Sequence, residues 1–228
     1  MTSEMSSRLS KKQAIGVLIW LPVHLLALPV LLSIPVGMGL YDDVAANLLV
    51  YVIGAVYMLL ILRRFFRRDF DPICEHPFRT LFTIFACYFL ARFGEVLVAV
   101  IMDALSVTGD NENNEAVIEM AKASIGPTAA MAVILAPIVE ESLFRAGIFG
   151  LLRRKSRVLA YAVSMLIFGI YHIWQGAIYD PAQLIFILQY LPSSFALAYV
   201  YERTDSIWSC IFLHTLSNGI ALLGVMVL

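Results

Sequence analysis

The side chains able to do chemistry stand in three short runs in the second half of the chain. Residues 137–145 read Pro-Ile-Val-Glu-Glu-Ser-Leu-Phe-Arg, which sets two adjacent carboxylates, Glu140 and Glu141, just ahead of Arg145. Phe168 and His172 are four apart in a second run, and His214 and Asn218 four apart in a third. At about 100° per residue in a helix, Glu141 and Arg145 share a face, so the arginine neutralises and fixes that carboxylate. Glu140 points about a quarter-turn away. The expected division is that Glu141 positions and Glu140 reacts. The same spacing sets Phe168 beside His172 and Asn218 beside His214.

Two hydrolytic chemistries suit these residue types. Glu140 and His172 can hold and deprotonate a water while His214 and Asn218 donate hydrogen bonds to the oxyanion formed on a carbonyl. Alternatively, Glu140, His172 and His214 can bind zinc as a Glu-plus-two-His set with an open water position. Spacing does not separate the two, because the ligands lie on three different segments with no HExxH-type run. The plain structural readings are a salt bridge for Glu141 with Arg145, and helix-to-helix hydrogen bonds for the histidines. A second carboxylate makes the salt bridge alone a poor account, since three charges cannot all cancel pairwise.

These runs sit in apolar surroundings. The 228 residues are 61% hydrophobic and 14% charged, with a mean hydropathy of +0.83; a soluble domain is about a quarter charged. A bilayer core needs about 20 apolar residues per helix, and seven stretches qualify: 14–34, 44–62, 78–105, 128–152, 158–177, 182–201 and 207–228. The first is too long for a signal-peptide core, so it reads as an uncleaved span. The expected class is therefore all-α, a polytopic transmembrane helical bundle of about seven, possibly eight, membrane helices. It forms a single integral membrane domain over 1–228, with the first three spans and an external loop in 1–113 and the chemistry-bearing helices in 114–228.

Basic residues supply the orientation. Thirteen of the 16 fall at the N-terminus or in the segments after the second, fourth and sixth spans, and Lys122 alone falls in the opposite loops. Seven spans with a cytoplasmic N-terminus in the plasma membrane satisfy the charge rule at every loop. The segment 106–127, rich in Asp, Glu and Asn, reads as an ordinary solvated connecting loop, although 115–123 has the pattern of a short surface helix. Arg92 and Glu95 are three apart in the third span, at pairing distance. A structural pair is expected there, with a substrate contact as the alternative. His24 has no polar neighbours in the first span and His76 lies in a loop, so neither takes a role. Cys74, Cys87 and Cys210 are scattered and lack metal or disulfide spacing.

In that order, on successive hydrophobic segments, the motifs Glu-Glu-x-x-x-Arg (Glu140, Glu141, Arg145), Phe-x-x-x-His (Phe168, His172) and His-x-x-x-Asn (His214, Asn218) resemble those of the CPBP intramembrane proteases. These are also called the Abi or CAAX protease and bacteriocin-processing family. The resemblance covers about 114–218. It implies a helical bundle opening a polar cavity in the membrane and peptide-bond hydrolysis inside it. Glu140 and His172 would activate water, His214 and Asn218 would stabilise the oxyanion, and Glu141 with Arg145 would support the site. The family is described both as metalloproteases and as metal-independent glutamate enzymes, so zinc stays open. One departure is Ala146-Gly147 after Arg145, where many relatives place glycine directly; it touches helix packing at most.

The partners expected are the lipid bilayer and a membrane peptide or protein substrate whose identity, prenylated or not, is not legible. With a net charge of −1, nucleic acid is not expected. The sequence sets no oligomeric state. Two other classes compete: a non-catalytic immunity or scaffold protein of the same fold, and a small transporter, against which the lack of two matching broken-helix halves weighs.

Overall fold

A computed structural model describes residues 5 and 7–227. Among them it contains helices and no strand. Ten helices are numbered in chain order: α1 Lys11–Gly37, α2 Asp43–Ile61, α3 Arg63–Arg68, α4 Asp71–Glu75, α5 Pro77–Ala104, α6 Glu112–Ala123, α7 over 125–153, α8 Arg157–Tyr179, α9 Pro181–Thr204 and α10 Ile207–Val227. Six of them (α1, α2, α5, α8, α9 and α10) are long and apolar enough to cross a membrane. With α7, which carries three internal charges, these match the seven expected stretches to within a few residues.

The helices begin where polar side chains satisfy free backbone N–H groups. Ser10 and Gln13 form a reciprocal cap on α1, Asp42 accepts from Ala45 N at 2.8 Å, and Ser156 caps α8. The region 106–127 departs from the loop expected of it and forms instead the short helix for which 115–123 has the pattern. Asn111 accepts from the amides of Asn113 and Asn114, which starts a 12-residue helix, α6, with Ala121 buried. Its asparagines mark a helix cap, a role that reading them as solvated loop residues overlooks.

The core lies around α7. Helices α1, α2, α8, α9 and α10 all pack on it, and every residue from 139 to 149 is buried. Two stretches of α7, Ala130–Leu135 and Ser142–Phe149, are wound as π-helix, as is Val23–Ala27 of α1. Helix α5 approaches α9 closely, since a Cβ at Gly94 would lie 2.7 Å from Pro192 Cβ. Its outer face exposes Phe78, Phe82, Phe89 and Phe93, each by more than 60%, as suits a face turned to lipid.

The basic segments gather at one end of the bundle. Arg154 donates to Leu9 O and Arg68 to Arg8 O, both at 2.9 Å, and Arg79 reaches Arg203 O at 3.4 Å. At this end Asp69 accepts from Ser7 Oγ and from the first amide of α10, Ile207 N. The charge alternation thus has a geometric counterpart, because segments separated by even numbers of spans meet.

Candidate active site

The apolar sequence of α7 leaves three charges with nowhere to go but its neighbours. Burying an unpaired charge is prohibitive, so each must find a partner. Glu141 and Arg145 have no exposed side-chain surface and pair within the helix, Arg145 Nε lying 3.2 Å from Glu141 Oε2. Helix α9 completes the arginine's shell, as Ser194 accepts from Nη2 through Oγ at 3.1 Å and through its carbonyl at 3.3 Å. The guanidinium also lies 4.2 Å from the centre of the Phe168 ring, a cation–π contact. Phe168, read from sequence only as a neighbour of His172, therefore links the arginine to the histidine.

Both histidines arrive with one ring nitrogen committed. His172 Nδ1 lies 2.8 Å from Phe168 O. A carbonyl only accepts, so Nδ1 carries the proton, and in the neutral ring Nε2 is an acceptor. His214 Nδ1 lies 2.7 Å from Glu141 Oε1. That leaves two Nε2 atoms facing Glu140 Oε2, at 3.7 Å from His172 and 3.9 Å from His214. The other oxygen of Glu140 is already occupied, since Oε1 accepts from Tyr51 Oη of α2 at 3.0 Å. The quarter-turn between Glu140 and Glu141 thus becomes a division between a carboxylate paired with Arg145 and bound by His214, and one held by Tyr51 through a single oxygen.

Asn218 lines the same cavity as Glu140, His172 and His214. Its amide donates to Ala132 O at 2.8 Å, while Thr215 donates to Val133 O at 2.9 Å. Both acceptors lie in a π-helical stretch, where widened turns leave carbonyls to be satisfied from outside. One amide proton of Asn218 is committed there and the second is available. The cavity measures about 580 Å³ and reaches Arg92, Glu95 and the Val117 and Ile118 face of α6. Arg92 and Glu95 pair at 2.6 Å, with Ser193 also on Glu95, so the expected pair forms on the cavity wall. A second recess of about 420 Å³, between Ala129, Val133 and Met226, is lined by no ionisable side chain and lacks the means for this chemistry.

Several site residues escaped the sequence reading. Tyr51 and Tyr171 hydrogen-bond to each other at 2.9 Å. His24, expected to stand without polar neighbours, is 3% exposed and places Nε2 3.3 Å from Tyr171 Oη. Tyr190 stacks on His172 at 4.5 Å and binds the asparagines at the start of α6. The available signal was that a tyrosine deep in an apolar span must find a hydrogen-bond partner.

The zinc alternative can be tested on these donors. Zinc bonds of about 2.0–2.1 Å place tetrahedral ligand atoms about 3.3 Å apart. The separations of 3.7 and 3.9 Å are wider, and among the described residues no group of three His, Cys, Asp or Glu side chains converges as a metal site. Nothing in the arrangement of these donors supports zinc, and no chemical step below runs through a metal.

Fold and site together define a polytopic helical membrane protein with a glutamate–histidine centre buried in its bundle. Residues 123–220, which hold all three motifs, match the family model described as "Type II CAAX prenyl endopeptidase Rce1-like". A protein of Bacillus subtilis (strain 168) named "Putative membrane peptidase YdiL" is 32% identical over 135 residues, 58% of this chain and 51% of that protein. The chain thus spans about half the length of the curated relative it matches. No solved structure matches it. The family match and this likeness support the chain's place in the CPBP family that its motifs resemble.

Proposed function

We propose that the chain is an intramembrane endopeptidase that hydrolyses peptide bonds of a membrane-associated peptide or protein, with Glu140 and His172 activating the water. One observation carries this reading. Glu140 Oε2 and His172 Nε2 face each other at 3.7 Å, and with Glu140 ionised and the His172 proton on Nδ1 both are acceptors, so neither donates to the other. A molecule with two protons to give satisfies both, and a water bridging them is held by its hydrogens with its lone pairs turned to the cavity.

The steps balance without a further reactant. The water oxygen attacks the carbonyl carbon as Glu140 takes one of its protons. The carbonyl oxygen becomes an oxyanion, stabilised by His214 and by the second amide proton of Asn218. His214 suits this task when protonated, because Glu141 on its Nδ1 side balances the charge and Nε2–H then donates toward the cavity. On collapse the C–N bond breaks and Glu140 returns its proton to the leaving nitrogen. Glu141, Arg145 and Phe168 hold the frame.

The charge distribution supports a cytoplasmic N-terminus in the plasma membrane, and the residues from about 114 onward form the part that does the chemistry. The matched model's description makes a prenylated CAAX peptide the first substrate to try. The test compares membrane peptide fragments from cells carrying the unaltered chain and its Glu140→Gln variant, followed by cleavage of the peptides found. Glu140→Gln should abolish cleavage, and His172→Ala should lower it by about 100-fold or more, with both variants purifying as monodisperse species. Full cleavage by either one refutes the mechanism.

A further inference from the structure

We infer that Tyr51, Tyr171 and His24 form a one-directional hydrogen-bond relay that holds Glu140 in its reactive state, which makes them positioning residues for this site. The inference rests on the protease reading above. It draws on side chains from three helices, α2, α8 and α1, and none of the three is a named position of the motifs.

Counting protons fixes the direction. Each tyrosine hydroxyl has one proton to donate. Tyr51 gives its proton to Glu140 Oε1, since a carboxylate only accepts, at 3.0 Å. The oxygen of Tyr51 must then accept from Tyr171, 2.9 Å away. Tyr171 has then spent its proton, so its oxygen accepts from His24 Nε2–H at 3.3 Å. Every donor along the chain points to Glu140, and hydrogen bonds in series polarise one another, more so where water is excluded.

The consequence is a choice between the two oxygens of one carboxylate. Oε1 is held by the relay, so Oε2 is left to face His172 and His214. The relay donates to the ionised form, the form that takes a proton from water. When Oε2 is protonated during the reaction, no member of the relay has to turn round.

Two further observations mark the far end as built for this purpose. His24 lies in the π-helical stretch Val23–Ala27, directly after Pro22, and such local widenings recur at functional sites. Opposite it, α2 carries Gly54, where a Cβ would lie 3.3 Å from His24 Nδ1 and 3.1 Å from Val139 Cγ2. A side chain there would crowd the imidazole and α7 together. An apolar residue at position 24 would have filled the same space without a buried polar ring.

The experiment uses the full chain in lipid vesicles and a peptide that the unaltered protein cleaves. Losing a hydrogen bond to a charged group costs about 10- to 100-fold. Tyr51→Phe should therefore lower kcat by that factor and leave KM within about two-fold. At the far end, His24→Leu should lose about 2- to 10-fold, whereas His24→Gln, whose amide can donate from nearly the same place, should retain most activity. A packing role would give the opposite order, with Leu tolerated and Gln not. If Tyr51→Phe fails to fold, Tyr171→Phe and His24→Leu carry the test with Tyr51 still in place. Full activity of both Phe variants, with Glu140→Gln inactive, overturns the relay and leaves the protease reading standing. An active Glu140→Gln defeats the Glu140 mechanism instead. An infrared arm then decides the relay without cleavage. The carboxylate band of Glu140, identified by difference against Glu140→Gln, should move in Tyr51→Phe, and an unmoved band overturns the relay.

Discussion

Replacing Arg145 with leucine tests whether the charges of α7 form one closed set. Its guanidinium has no exposed surface and meets Glu141, Ser194 and the Phe168 ring. Leucine fills much of the volume but leaves Glu141 buried with only His214 beside it. Removing one partner of a buried pair costs about 3–5 kcal/mol, chiefly as the penalty on the charge left behind. Against the 5–15 kcal/mol typical of whole folds this is large. On the soluble-protein scale of about 2–4 °C per kcal/mol, it amounts to a fall of about 6–20 °C in melting temperature. The assay is thermal unfolding in detergent followed by size-exclusion recovery. The decisive arm is the double variant Arg145→Leu with Glu141→Gln, which removes both charges and should recover about half or more of the loss in stability while leaving cleavage impaired. If the double variant is no more stable than Arg145→Leu alone, the loss comes from packing and the reasoning about a stranded carboxylate is refuted.

Asp69, outside the membrane spans, gives a pH effect of definite sign. Burial is the largest influence on it and raises its pKa from 3.8 to about 6, against the opposing hydrogen bonds from Ser7 and Ile207 N. Between those values the folded chain binds the extra proton, so stability should fall as pH rises from about 4 to about 6 and level off above. Melting curves across that range should show the slope in the unaltered protein and a flatter one in Asp69→Asn; equal slopes would refute it. For the metal question, purified active protein should contain no stoichiometric zinc and keep its activity after chelator treatment. Activity lost to chelator and restored by zinc would overturn the glutamate mechanism.

The spans could be read because hydropathy over about 20 residues is a strong signal, and Glu141 with Arg145 because i, i+4 pairing is local to one helix. Glu140 beside His172 and His214 followed from the three motifs taken together. The relay could not be read, since Tyr51, Tyr171 and His24 meet only through the rotation of α1 and α2 about their axes, which nearly uniform apolar sequence does not fix. Helix α6 showed only as the pattern over 115–123, and its start was hidden for a different reason, as asparagines that cap a helix look the same in sequence as asparagines in a loop. The π-helical stretches leave no mark on hydrophobic periodicity in a segment that is buried all round. Their carbonyl partners, Thr215 and Asn218, therefore gave no warning that they brace α7.

The charges of α7 also bear on how the chain enters a membrane. Six of the described helices are long and apolar enough to cross a membrane, but in α7 Glu140, Glu141 and Arg145 each carry an insertion cost of about 2.5–3.5 kcal/mol at mid-span. The internal pair relieves part of that, and more is relieved by Tyr51 on a helix made earlier and by Phe168, Ser194 and His214 on helices made later. The segment holding Glu140 is thus the one least able to enter the bilayer alone. Its arrival there is an act of assembly, completed only when α10 is in place.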